Sequence, residues 1–243
     1  IIYLMSAPRE GTSDLENAFI EQALKAAWDD KKREASITDV ANHLNDHSDL
    51  IAKTLGKKLI PYTEDGMYGR FFTGPATVDL SKPMVVIELE ELKERKDLQE
   101  VIVQMVILQI TNKLYLGDRK TPSLVVLDEA WDMLRGRQSG QFIETAARRL
   151  RKYRGALVVG TQSVNDFYAT PAAQAAFENS DWMCLLAQKP ESIKQLKESK
   201  RIYLDPTMEA MLTSVRTKQG TYAETLIYGS HGFAIGRLFL DPF

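Results

Sequence analysis

Two adjacent carboxylates, Asp128 and Glu129, directly follow the apolar residues 124–127. An apolar run of this length predicts a buried strand, and α/β proteins build their ligand sites at the carboxyl ends of such strands. In a nucleoside triphosphatase the first acid, Asp128, would hold a Mg²⁺ ion through its water shell, and the second, Glu129, would orient and polarise the attacking water. A solvated turn or a helix cap would also explain the pair taken alone.

A second apolar run, residues 156–160, ends in the polar residues Thr161 and Gln162. Because neighbouring parallel strands deliver their ends to the same edge of a sheet, we expect Gln162 to lie near the two acids. A glutamine in that place would bridge the attacking water or the γ-phosphate, and Thr161 would join Asp128 in binding ATP. Capping of the following helix by Thr161 or Ser163 is the alternative for this segment.

Five cations lie within seven positions between these two runs, namely Arg148, Arg149, Arg151, Lys152 and Arg154. Cations favour the negative end of a helix dipole, so a solvated helix end is one interpretation. A second is an arginine that acts across a subunit interface, where a guanidinium would offset charge on the transferring phosphoryl group. A nucleic-acid patch is the weaker third interpretation, because Tyr153 is the one aromatic residue interleaved with the cations.

The sequence contains no Gly-rich run that ends in Gly-Lys-Ser or Gly-Lys-Thr, and residues 117–121 have the wrong order. A phosphate-binding loop needs bare backbone amides and one lysine to wrap the β- and γ-phosphates. We therefore expect that this polypeptide on its own does not hydrolyse ATP efficiently.

The remaining pattern predicts an α/β fold, with a mainly parallel sheet covered on both faces, after an all-α segment of three short helices. The predicted helices are 13–31, 38–44, 48–55, 97–116, 140–153, 171–177 and 192–200, and the predicted strands are 84–89, 124–128, 156–160 and 182–186. Thr38 would cap the second helix and Gly56 would end the third. Residues 61–79 predict a loop, and residues 221–228 and 233–239 predict an antiparallel hairpin on the sheet edge.

The composition excludes some classes of partner and structure. The 243 residues are 44% hydrophobic and carry a formal net charge of −2, so no overall basic field indicates a nucleic acid or an anionic membrane as partner. The single cysteine excludes an internal disulfide framework and favours a reducing, cytosolic compartment. The apolar runs are shorter than the ~20 residues of a membrane helix, and the opening at Ile1 lacks a signal peptide and reads as the middle of a longer protein.

Several strings resemble the C-terminal ATPase domain of TraC and its relatives, which belong to the HerA/FtsK-like branch of RecA-fold motors. The matching strings are residues 127–131, 150–152, 160–163 and 236–243. The resemblance implies a RecA-like three-layer core over residues 61–243, with residues 1–60 as a helical insertion. It also implies Asp128 as the Mg²⁺ residue, Glu129 for the water, Gln162 as sensor and Arg151, with Arg148 as fallback, for a charge supplied to a neighbouring subunit.

The function implied by this resemblance is an ATP-hydrolysing motor domain that energises type IV secretion, in conjugative pilus assembly and substrate transfer. Family members assemble, often as hexamers, on the cytoplasmic face of the bacterial inner membrane with other secretion components. The phosphate-binding loop of the family lies upstream, so the chain is either a fragment or a degenerate homologue, and we expect the former. The alternatives are a DNA-translocating motor of the same branch, which would bind DNA through the Arg148 to Arg154 cations, and a non-catalytic assembly scaffold that docks through residues 38–55.

Overall fold

The computed structural model describes residues 1–7, 11–74, 79, 82–117, 120–129, 137–198 and 204–239. The chain divides into two compact units, Ile1–Asp118 and Arg119–Phe243. The predicted motif residues Ala130, Trp131 and 240–243, and the predicted helix end at 199–200, lie outside the described residues. The domain boundary predicted at residue 60 concerns an insertion within a longer chain and stays a prediction.

The first unit is helical. Its α-helices are α1 (Ile2–Ser6), α2 (Asp14–Lys31), α3 (Ile37–Asp46), α4 (Leu50–Leu59) and α5 (Lys96–Leu116). Short 3-10 turns lie at Lys32–Glu34, Ile60–Tyr62, Gly69–Phe71 and Glu90–Leu92. All five α-helices contribute apolar side chains to one core, which includes Met5, Ile20, Leu44, Leu55, Leu59 and Leu98.

Local capping sets the start of α2 and α3. Ser13 caps α2, with Glu16 completing a reciprocal capping box. The predicted cap of α3 by Thr38 is wrong, because Ser36 and Asp39 form such a box two residues earlier. The Thr38 hydroxyl instead accepts a hydrogen bond from the Glu64 amide at 3.0 Å.

The predicted end of the third helix at Gly56 is also wrong, since α4 continues to Leu59. Gly56 is needed here for close helix packing, because a β-carbon at this position would lie 2.5 Å from the side-chain oxygen of Asn45 on α3. Gly56 therefore does not end a helix, and its role is to let α3 and α4 pack closely.

The strand predicted at residues 84–89 is wrong as well. These residues form neither helix nor strand, and the side chains of Met84 and Val86 are 81% and 70% exposed. Strand formation requires a partner for the backbone amides and carbonyls, and an apolar run does not specify one.

The second unit contains six described strands in two sheets. The order of its elements is β1 (Ser123–Leu127), α6 (Arg137–Arg149), β2 (Gly155–Val159), α7 (Pro171–Glu178), β3 (Trp182–Leu185), α8 (Pro190–Glu198), α9 (Pro206–Ser214), β4 (Thr217–Lys218), β5 (Tyr222–Gly229) and β6 (Gly232–Leu238). Two 3-10 turns flank β2, at Leu150–Tyr153 and Val164–Tyr168.

Strands β1 and β2 form a parallel pair in which Ser123 opposes Gly155 and Leu127 opposes Val159. One face of this pair packs on α6 and α7, where Ile143, Ala173 and Ala176 are buried against Leu127, Leu157 and Val159. Helix α6 connects the two strands, as a parallel pair requires. The predicted strands 124–128 and 156–160, and a helix between them, are confirmed.

The other strands form an antiparallel sheet around β5, which pairs with β3, β4 and β6. The hairpin of β5 and β6 is confirmed, but β5 lies inside this sheet and not at an edge. The strand predicted at 182–186 as part of the parallel sheet is present as β3 and pairs antiparallel with β5. An apolar strand carries no signal for the direction of its partner, which explains this difference.

Among the helices of the described residues, none is both long and apolar enough to cross a lipid bilayer.

Candidate functional site

The candidate site lies where β1 and β2 end side by side. The backbone amide of Gly160 donates a hydrogen bond to the carbonyl of Leu127 at 2.8 Å, which continues the ladder past the last strand residues. A β-carbon on Gly160 would lie 3.2 Å from Oδ1 of Asp128. The two chain segments therefore leave the sheet in close contact.

The turn after β1 presents both acids to solvent. Asp128 and Glu129 are exposed, and Oδ1 of Asp128 accepts a hydrogen bond from the Glu129 amide at 2.9 Å. Glu129 has a φ of 48°, in the left-handed region that residues other than Gly, Asn and Asp rarely adopt. A strained backbone at a strand end is characteristic of functional sites, where the fold imposes the conformation.

Gln162 joins the two strand ends. Its Nε2 donates a hydrogen bond to Oε1 of Glu129 at 3.3 Å, although the two residues are 33 positions apart in the sequence. The predicted proximity of Gln162 to the acids is thus confirmed. The catalytic and binding roles assigned to Asp128, Glu129, Thr161 and Gln162 stay predictions.

One residue at this site, Asp166, was not predicted from the sequence. The hydroxyl of Thr161 donates a short hydrogen bond to Oδ2 of Asp166, and both side chains are half-buried. Ser163 caps the 3-10 turn Val164–Tyr168 by accepting from the Asn165 amide at 3.2 Å, so the capping alternative holds for Ser163 and not for Thr161. Asp166 carries no distinctive sequence signal, because its contact with Thr161 depends on this turn.

The structure places the cationic residues at the other end of the strand pair. The carbonyl of Arg154 accepts a hydrogen bond from the amide of Ser123, the first residue of β1. Five strand residues, roughly 16 Å at ~3.3 Å per residue, separate this end from the acids. Arg151 is exposed in the 3-10 turn before β2, whereas Arg148 pairs with Glu144 on α6 at 3.0 Å. Arg148 and Arg151 are therefore not brought together with Asp128 and Glu129 within one chain.

The side chains at the site fit a Mg²⁺ ion shared with a nucleotide. Among the described residues, no group of three or more His, Cys, Asp or Glu side chains would hold a metal unaided. Magnesium is usually bound by one or two carboxylates together with water and substrate phosphates, which matches an exposed Asp128 beside Glu129. The amide of Gln162 offers both a donor and an acceptor to phosphate or water.

Comparison with known proteins finds a relative among the TraC proteins that the sequence resembles. Protein TraC of Escherichia coli (strain K12) is 30% identical over an alignment of 261 positions, gaps included, which covers 98% of this chain and 29% of TraC. The chain therefore spans less than a third of the length of this relative. The predicted resemblance to TraC and its relatives is confirmed.

Two solved structures share the fold. VirB4 of Thermoanaerobacter pseudethanolicus matches with a TM-score of 0.72 and 19% identity, over 99% of this chain and 67% of VirB4. The plasmid coupling protein TrwB, solved with the non-hydrolysable GTP analogue GDPNP, matches with a TM-score of 0.57 and 12% identity, again over 99% and 67% of the two chains. The expected RecA-like fold is thus confirmed.

The TraG P-loop domain matches residues 32–229, which include both strand ends and the residues that contact each other there. This match covers most of the sequence, and it agrees with the identity to TraC and with the shared fold. The chain belongs to the TraG P-loop domain family.

Proposed function

We propose that the chain is the catalytic half of an ATP-hydrolysing motor domain that energises type IV secretion, in conjugative pilus assembly and substrate transfer. The observation that carries this proposal is the hydrogen bond between Glu129 and Gln162 next to Asp128, at the ends of two parallel strands. It brings the two carboxylates and the amide together at one exposed edge, which supports the roles proposed for them in metal binding, water orientation and sensing. The membership in a P-loop family supports the same chemistry.

In this proposal Asp128, Glu129 and Gln162 each have a distinct role. The carboxylate of Asp128 holds Mg²⁺ through water, and the ion, when bound, neutralises charge on the phosphates. Oε1 of Glu129 accepts a hydrogen bond from the attacking water and orients it for in-line attack. Nε2 of Gln162, which contacts Glu129 in this structure, responds to the γ-phosphate by exchanging partners.

The phosphate-binding loop belongs in this proposal to a part of the protein outside these 243 residues. The sequence offers no Gly-Lys-Ser or Gly-Lys-Thr string, so the backbone amides and the lysine that wrap the phosphates must come from elsewhere. The chain alone is then inactive, and every activity test requires the full-length protein.

The positions of the charges support self-association. The exposed cations near Arg151 lie at the opposite end of the strand pair from the acids, so Arg151 would reach the phosphates of a neighbouring copy and not those of its own chain. We propose a ring, with six copies as expected from the resemblance, at the cytoplasmic face of the inner membrane beside other secretion components.

The decisive experiment replaces Glu129→Gln in the full-length protein. We expect the loss of ATP turnover, measured as phosphate release, with retained binding of a fluorescent ATP analogue, because Asp128 is intact. The matched control is Glu191→Gln, an exposed glutamate in the first turn of α8. Retained turnover would refute Glu129 as the water-orienting residue. Retained transport without turnover would refute the motor and favour the scaffold.

A further inference from the structure

We propose that Asp166 is a positioning residue for Gln162: it holds Thr161 by a hydrogen bond, so that the neighbouring Gln162 side chain stays within reach of Glu129. This inference rests on the proposed function, since it concerns the same site. Asp166 would act through the loop backbone, without contact to nucleotide or metal.

The segment that carries Gln162 is fixed at both ends. At its start, the Gly160 amide binds the Leu127 carbonyl at 2.8 Å. At its end, the carbonyl of Ser163 accepts a hydrogen bond from the Asp166 amide at 3.1 Å, which closes the first turn of the 3-10 segment. Thr161 and Gln162 lie between these two anchors.

The Asp166 carboxylate fixes this intervening stretch from the side. Its Oδ2 accepts the hydroxyl proton of Thr161, the residue directly before Gln162. The same residue is thus bound to the segment twice, through its amide to Ser163 and through its carboxylate to Thr161. This double attachment restricts the backbone torsions from which the Gln162 side chain extends.

Such restriction matters because Gln162 is exposed and its contact with Glu129 is a single bond of 3.3 Å. A glutamine side chain has several rotatable bonds, and the conformational entropy that it loses on ordering opposes the contact. Geometric precision of catalytic groups depends on supporting residues that are themselves held by hydrogen bonds. Loss of the Asp166 bond should therefore reduce the rate of hydrolysis and leave nucleotide affinity nearly unchanged.

The hydrogen bond to Asp166 also limits what the Thr161 hydroxyl can bind. Its proton is donated to Asp166, so the hydroxyl has no second proton for a phosphate oxygen. If Thr161 binds ATP, it does so through its backbone amide. Replacing the hydroxyl should then act on Gln162 in the same way as replacing Asp166.

The test is a double-mutant cycle in the full-length protein. We expect Asp166→Ala and Thr161→Val each to lower kcat for ATP by about five- to tenfold, the size expected for one hydrogen bond, with KM within about twofold. The double variant should be no slower than the slower single variant, because both changes remove the same bond. Thr161→Ser should recover most of the loss seen with Thr161→Val, since it restores the hydroxyl.

The matched control is Asp205→Ala, which removes a carboxylate that binds the Met208 amide at the start of α9. We expect it to lower the melting temperature as much as Asp166→Ala does, with kcat unchanged. Equal loss of kcat in the control would show a general effect of stability and overturn the inference. A raised Mg²⁺ requirement in Asp166→Ala would overturn it too, because Asp166 would then be a metal ligand.

Glu129→Gln in the same assay separates the two proposals. If it abolishes turnover while Asp166→Ala has the wild-type kcat, the positioning role is refuted and the proposed function stands. If Glu129→Gln retains turnover, Glu129 is not the water-orienting residue, and the role of Asp166, which depends on the contact between Gln162 and Glu129, fails with it.

Discussion

At the scale of single residues, the backbone of Glu129 is the most unusual feature of the candidate site. Its φ of 48° costs an L residue about 1 kcal/mol relative to the right-handed region, a cost that glycine avoids. A glutamate at this position therefore sacrifices stability, and the structure offers a reason, which is the contact of its carboxylate with Gln162.

This strain predicts a difference between two variants that both lack the carboxylate. Glu129→Gly should have a free energy of unfolding about 1 kcal/mol higher than Glu129→Ala, because only glycine adopts the left-handed conformation without strain. Chemical denaturation of this chain, followed by circular dichroism, measures the difference. Equal stability of the two variants would show that the turn relaxes and that Glu129 is not strained.

At the scale of elements, the two strand ends were predictable because their signal is local. Short apolar runs that end in polar residues specify both the strands and the edge at which Asp128 and Gln162 meet. The role of Asp166 was not predictable, since it depends on a 3-10 turn that brings residues 161 and 166 together. The same limitation explains the wrong strand at 84–89, where an apolar run has no pairing partner to reveal in its own sequence.

Helix α3 illustrates how a cap sets stability at the element scale. Lys31 and the Ser36 hydroxyl and amide bind the Asp39 carboxylate, and the hydrogen bond from Lys31 is the main reason that the pKa of Asp39 is lowered to about 2. Since the folded-state pKa lies below the ordinary value of 3.8, ionised Asp39 stabilises the folded state. This contribution is complete above about pH 4 and is lost as the pH falls toward 2.

Asp39→Asn should therefore lower the melting temperature at pH 7 by roughly 4 °C, which corresponds to about 1 kcal/mol for a unit of this size. The gap between variant and wild type should narrow as the pH falls from 4 to 2, because the wild-type carboxyl becomes increasingly protonated over this range. Thermal melts of this chain across that range measure it. Asp46→Asn, at the exposed end of the same helix, is the control and should have a much smaller effect at pH 7. A gap as wide at pH 2 as at pH 7 would contradict this assignment.

At the scale of the whole molecule, the strand pair of β1 and β2 separates Asp128 and Glu129 from the cations of residues 148–154. Asp128 and Glu129 follow the last residue of β1, whereas the exposed turn with Arg151 precedes the first residue of β2. A five-residue strand is too long for one arginine side chain to span back to the acids. In a ring of identical subunits, however, each interface joins two different patches of neighbouring copies, so the Arg151 end of one copy can face the acids of the next.

This arrangement predicts that two inactive variants of the full-length protein restore each other. Arg151→Ala and Glu129→Gln should each abolish ATP turnover, but rings coexpressed from equal amounts of both should recover activity at about a quarter of the interfaces, where an intact acid pair faces an intact Arg151. Lys152→Ala, in the same exposed turn, is the control and should keep wild-type turnover. If an arginine acted on the acids of its own subunit, every subunit of the mixed ring would lack one group and no activity would return.

If Arg151→Ala alone stays active, the same mixing experiment with Arg148→Ala tests the second candidate arginine. In that case the ion pair of Arg148 with Glu144 would have to break during activation.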